Sequence, residues 1–75
     1  FRQLSKCEIG DTVIFKAVTN SSTAFLKYLN SKELSLDTRL KIVDIEPFDG
    51  TMKVSYNNST NETFSKVVCD KLLVL

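Results

Sequence analysis

The stretch Arg39–Tyr56, RLKIVDIEPFDGTMKVSY, decides the fold. It holds two apolar runs, Leu40–Ile45 and Met52–Tyr56, joined by Glu46-Pro47-Phe48-Asp49-Gly50. In the second run Met52, Val54 and Tyr56 point one way, and Thr51, Lys53 and Ser55 the other. That period of two is what a strand with one wet face requires. In the first run Leu40 and Ile42 keep the period, while Val43 and Ile45 fall on the opposite face. This reads as a strand covered in part on both sides, or as a bulge that re-aims the chain. Between the runs, Pro47 cannot donate to a ladder and Gly50 can take positive φ. The stretch predicts a β-hairpin with a longer turn, around which the remaining chain wraps.

Outward from the hairpin, Thr12–Val18 alternates and is rich in β-branched and aromatic residues, which predicts a strand. Thr19–Thr23 is polar, and Ser21 or Ser22 suits a helix N-cap. Ala24–Lys32 carries Phe25, Leu26, Tyr28 and Leu29 at a spacing that predicts a short helix with one apolar face. A helix of this length does not persist alone, so it must lie on the sheet with the Phe25/Leu26/Leu29 stripe in the core. Glu33–Asp37 alternates with Leu34 and Leu36 as its apolar members. After Tyr56, the run Asn57–Asn61 has the chemistry of a turn between antiparallel strands. Glu62–Ser65 reads as a short strand around Phe64. Lys66–Lys71 reads as one helical turn with Val67, Val68 and Cys69 inward. Leu72–Leu75 reads as a closing strand paired with the first one, and Phe1–Lys6 as a lead-in. The expected fold is mainly β, a small five-stranded SH3-like barrel with one short helix inserted after the first strand.

The chain has 75 residues, enough for one domain with a small core. Ten cationic and nine anionic residues are interspersed, giving a net charge of +1 and no basic stripe. Lys27, Lys32, Arg39, Lys41 and Lys53 could gather on one side to bind nucleic acid, but Glu33, Asp37 and Asp44 lie among them. No apolar run is long enough to span a membrane. The chain opens on Phe1 and shows no signal peptide, as expected of a processed protein or a piece of a longer one. Cys7 and Cys69 are the only cysteines and are read as free and structural. N-x-S/T patterns at Asn20, Asn57, Asn58 and Asn61 are read as turn chemistry.

The residues that chemistry needs are scarce. Without His, the commonest general base and metal ligand are missing. The two cysteines lack metal-ligand spacing, Gly10 and Gly50 make no phosphate-cradling loop, and no base activates a hydroxyl. An enzyme is not expected. Asp44, Glu46 and Asp49 form an acidic cluster that is a weak candidate for a hard cation, against a solvated loop. SH3-like grooves pair an aromatic platform with carboxylates. Phe48, Asp49 and Tyr56 are therefore the candidate protein-interaction residues, with core packing the alternative for Tyr56.

The order Phe25-Leu26-x-Tyr28-Leu29, Leu34-x-Leu36-x-Thr38-x-Leu40, Pro47-Phe48-Asp49-Gly50, Val67–Cys69 and Leu72-x-Val74 resembles the ferrous-iron-transport-A-like (FeoA-like) domain. The resemblance implies an SH3-like barrel and two settings. One is the C-terminal domain of a diphtheria-toxin-repressor-family regulator that responds to iron or manganese. The other is a stand-alone accessory of ferrous iron transport. The first is preferred, on the Pro47–Gly50 turn and the Phe25–Leu29 segment. It implies a cytoplasmic, homodimeric parent whose other domains bind DNA, dimerise and hold most of the metal, with the barrel modulating them through intramolecular contacts. Two ancillary metal ligands in that family, a Glu and a Gln, would fall at about Ser21 and Ala24, so no cofactor is expected in this domain. Two glycines usual in the family are replaced here by Glu33 and Asp37.

Overall fold

The computed structural model describes residues 1–19, 22–57 and 60–75, with Thr60 by its backbone alone. The expected hairpin is present. Strand β3 (Arg39–Ile45) pairs antiparallel with β4 (Met52–Tyr56), from Lys41 opposite Ser55 to Ile45 opposite Met52. The broken period of the first run is a bulge, because the register shifts between Ile42 and Asp44. The extra residue leaves Val43 exposed while Leu40 and Ile42 stay in the core.

Strand β2 (Thr12–Val18) pairs with β3, and β5 (Thr60–Phe64) pairs with β4. The closing strand β6 (Leu72–Val74) pairs with β2, with Phe15 opposite Val74. The lead-in contributes more than expected. Arg2–Gln3 forms a sixth strand, β1, on the free edge of β6. The result is one six-stranded antiparallel sheet in the order β1-β6-β2-β3-β4-β5.

The fold is mainly β with a short helix after the first long strand, as expected; the sheet has six strands rather than five, and among the described residues β1 and β5 do not pair, so it stays open. The β1 edge is short, at only two residues, and short edges resist pairing with other chains. Helix α1 (Thr23–Ser31) lies by β5, where Tyr28 meets Phe64 edge-on at 6.4 Å and Lys32 Nζ sits 3.3 Å from Glu62 Oε2.

α1 starts where Ser22 accepts a hydrogen bond from the Phe25 N–H at 3.2 Å, which satisfies one orphan donor of the first turn. It ends in a Schellman motif. The Leu34 N–H donates to the Leu29 carbonyl and the Glu33 N–H to the Asn30 carbonyl, each at 3.0 Å. Glu33 takes the left-handed position of that motif at φ 56°, where glycine is usual. Asp37 is also left-handed, at φ 70°. The two family glycines are thus replaced at positions whose backbone still demands what glycine supplies. Asp37 is held by Lys16 Nζ, 2.6 Å away. Glu33→Gly removes about 1–2 kcal/mol of left-handed strain, partly offset by glycine's greater unfolded-state entropy. The variant is expected to be more stable by up to about 1 kcal/mol, read as a higher urea midpoint.

The core gathers one side chain layer from every strand except β1: Val13 and Phe15, Leu40 and Ile42, Met52, Val54 and Tyr56, Phe64, then Leu72 and Val74. Leu4, from a single 3₁₀ turn at Leu4–Lys6, and Phe25 and Leu29 from α1 cap it. Helix α2 (Lys66–Lys71) adds Cys69.

Three apolar expectations are corrected. Leu26 is 42% exposed because it stands about 100° round the helix from Phe25, and the buried pair is Phe25 and Leu29. Leu36 is 60% exposed because 33–38 runs as turns, so alternation does not carry Leu36 to the side of Leu34. Val67 is 64% exposed because a six-residue helix turns only part of its Val67-Val68-Cys69 run inward. Cys7 and Cys69 are free and buried. Burial pushes both thiols up, Cys69 to about 12, so both are neutral and unreactive near pH 7. Asn20, Ser21, Asn58 and Ser59 lie outside the described residues, and with them the alternative cap, one family ligand position and part of the Asn57–Asn61 turn.

Candidate functional site

The turn between β3 and β4 is held from within. The Glu46 N–H donates to the Thr51 carbonyl and the Gly50 N–H to the Glu46 carbonyl, both at 2.8 Å. Gly50 sits at φ 76°, and a Cβ there would lie 2.9 Å from Lys66 Cδ. Both observations explain a glycine at this position. Phe48 projects from this turn with 94% of its surface exposed.

The three carboxylates flank it, and each is engaged by local backbone. Asp44 Oδ1 accepts from the Ile45 N–H at 2.9 Å, Glu46 Oε1 from the Phe48 N–H at 3.1 Å, and Asp49 Oδ1 from the Thr51 N–H at 2.9 Å. The Thr51 N–H holds the Asp49 carboxyl below its ordinary value. A carboxyl depressed in the folded state supports the turn above its unfolded pKa and loses that effect as pH falls through the folded value. Asp44 and Glu46 line a shallow depression with Thr51, Lys53 and Thr63, and Asp49 is not among its walls. Lys53, opposite Asp44, puts a cation where a metal ion would need anions. Among the described residues no group of three or more His, Cys, Asp or Glu could hold a metal. Titration of the chain with Mn²⁺ or Fe²⁺ under anaerobic conditions is therefore expected to give no saturable amide shifts at residues 44–51 up to millimolar metal. Saturable shifts there would assign a sensor site to the turn.

Tyr56 is placed elsewhere. It stands at the far end of β4, four residues past Met52, or about 13 Å along the strand. Its ring is buried and stacked near Phe64 at 6.4 Å, with 16° between planes. Its hydroxyl donates to the Lys32 carbonyl at 2.6 Å, and Asn57 Nδ2 donates to the Glu33 carbonyl at 2.9 Å. The end of β4 thus satisfies carbonyls at the C-terminus of α1 that the helix leaves orphaned. Burial pushes the Tyr56 hydroxyl up to about 12. A raised tyrosine favours the neutral folded form, so its contribution is complete below about pH 10 and lost as pH rises towards about 12. Tyr56→Phe leaves the Lys32 carbonyl unsatisfied and is expected to cost about 1–2 kcal/mol, measured by urea unfolding at neutral pH. The structure brings Phe48 and Asp49 together on one turn and leaves Tyr56 inside.

A second apolar surface was not anticipated. Leu26 and Leu36 line a groove of about 490 Å³ together with Phe15, Val18 and Leu34. Neither Glu33 nor Asp37 signals a left-handed turn in the sequence as glycine would. Glu33 and Asp37 bracket Leu34–Leu36 and turn that segment back over α1. Ala24, at one family ligand position, is an exposed residue of the first turn of α1 and offers no donor atom.

The described residues form a small antiparallel β domain with one exposed aromatic side chain on a hydrogen-bonded turn. The FeoA domain matches residues 2–74, and the chain belongs to this family. Its fold is similar to a manganese-dependent transcriptional repressor in complex with manganese, at 26% identity and TM-score 0.90, over 99% of this chain and 35% of that one. A second manganese-dependent transcriptional repressor aligns at 27% identity and TM-score 0.85, over 95% of this chain and 39% of that one. The chain spans little more than a third of these repressors. It also shares the fold of an iron uptake regulatory protein, FeoA, at 18% identity and TM-score 0.84, over 96% of this chain and 92% of that one. A comparison with curated protein sequences gives no match. No described helix is long and apolar enough to cross a membrane.

Proposed function

We propose that the chain is a non-catalytic regulatory domain of an iron- or manganese-dependent transcriptional repressor. It acts by intramolecular contacts with the domains that bind DNA and dimerise, in a cytoplasmic homodimer. DNA is reached only through those other domains, and the metal is held by them. The observation that carries this reading is Phe48, 94% exposed on a turn fixed by backbone and carboxylate hydrogen bonds. A large apolar side chain held in water by a rigid turn is a ready anchor, since its burial contributes about 1.5–3 kcal/mol at little ordering cost. Asp49 fixes the turn, and Tyr56 supports the same hairpin from inside. The likeness to one third of two manganese-dependent repressors supports the setting.

Removal of this domain from such a parent should change its metal-dependent operator affinity, measured by fluorescence anisotropy. Unchanged affinity and unchanged metal dependence would reject the regulatory role. A second reading, an accessory of ferrous iron transport, is favoured by the likeness covering 92% of the iron uptake regulatory protein. The gene separates the two. A helix-turn-helix segment encoded upstream supports the repressor, and a start codon just before Phe1 supports the accessory.

A further inference from the structure

The outer face of the sheet carries a basic site at the opposite end of the hairpin from Phe48. Thr12 stands opposite Lys41, and Lys41 opposite Ser55, in one row across β2, β3 and β4. Arg39, two residues before Lys41, projects on the same side. Thr12, Arg39, Lys41 and Ser55 line an open basin of about 560 Å³ that no described carboxylate enters. Arg39 and Lys41 are exposed, and neither side chain has an ion pair or hydrogen bond among the described residues. The nearby carboxylates are engaged elsewhere. Asp11 accepts from the Glu8 N–H and faces Arg2, Asp37 is held by Lys16, and Asp44 accepts from the Ile45 N–H.

We propose that this face docks an extended acidic segment of a partner protein. Charge complementarity selects the chemistry, because two unpaired cations and two hydroxyls converge on a basin without anions. Spacing selects the form. Arg39 and Lys41 lie about 6.7 Å apart along the strand, the same distance that separates alternate side chains of an extended peptide. An Asp-x-Asp or Glu-x-Glu segment thus sets one carboxylate on the guanidinium, which can take it bidentately, and the next on the ammonium. Ser55 and Thr12 hydroxyls can donate to the remaining oxygens. Nucleic acid fits less well. No exposed ring offers a stacking platform, since the only aromatic at the basin, Tyr56, is buried. Two cations at the basin would also neutralise few phosphates and so release few counterions. The proposal is independent of the Phe48 surface.

The test uses the 75-residue chain and a short labelled peptide alternating Asp and Ser. Its Asn-for-Asp counterpart and a short single-stranded oligonucleotide serve as comparisons. Binding of the acidic peptide should shift the amides of Thr12, Arg39, Lys41 and Ser55 and weaken as salt is raised. The exposed double variant R39Q/K41Q should weaken it about tenfold. No shifts at millimolar peptide, equal binding by the double variant, or equal binding of the Asn peptide would overturn the proposal. Tighter binding of the oligonucleotide, lost in the double variant, would also overturn it and make the face a nucleic-acid site.

Discussion

Phe64→Ala is expected to remove about 3–5 kcal/mol, the range for truncating a buried phenylalanine. Phe64 is fully buried where four elements meet. It pairs with Met52 across β4 and β5, stacks near Tyr56, and receives Tyr28 of α1 edge-on. Its carbonyl also accepts from Cys69 Sγ of α2 at 3.7 Å. Removing the ring opens a cavity bounded by strands on one side and α1 on the other, and neither side can collapse without losing register. A chain of 75 residues has about 4–11 kcal/mol of stability in all. The variant therefore loses much of its margin, and its urea midpoint should fall by about a quarter or more. A loss below about 1 kcal/mol would show that the Phe64 site is not the joint between sheet and helix.

Phe48→Ala should do the reverse. Its ring makes almost no contact within the domain, so stability should stay within about 0.5 kcal/mol. Association with the rest of a parent repressor should weaken at least tenfold, about 1.4 kcal/mol or more, as for an aromatic anchor at an interface. Calorimetry of the domain with the remaining two domains measures this. The combination is diagnostic, because a structural residue would lose stability and a solvated one would lose nothing. Asp49→Asn tests the support of the same anchor. It keeps an acceptor for the Thr51 N–H and should weaken association less than Phe48→Ala.

The hairpin was legible because its cues are local. Met52, Val54 and Tyr56 alternate without exception, and Pro47 and Gly50 punctuate the turn. The bulge was visible as the broken period at Val43. What escaped depended on partners distant in sequence. Arg2 and Gln3 have no strand character of their own and become β1 only because Val74 and Leu73 offer an edge. Leu26, Leu36 and Val67 are apolar residues that local periodicity places inward. Helix rotation and two left-handed backbone positions turn them outward instead. Glu33 and Asp37 shared the disguise, since neither residue type announces positive φ as glycine does.

For the site, the turn was legible in the sequence through Pro47 and Gly50. The absence of His and of metal-ligand cysteine spacing is a property of composition. That Asp44, Glu46 and Asp49 each serve a neighbouring N–H, and that Tyr56 serves the end of α1 through a hydroxyl, required coordinates. The cations divided in the same way. Lys32 is drawn to Glu62, while Arg39 and Lys41 emerge together on one strand face.

The central claim is that the domain works by contact through the Phe48 turn. The most direct measurement is the amide spectrum of the isotope-labelled chain titrated with the DNA-binding and dimerisation domains of the proposed parent repressor. Saturable shifts centred on residues 46–51, abolished by Phe48→Ala, are the predicted result. No shifts at that turn, or shifts that survive Phe48→Ala unchanged, would contradict it.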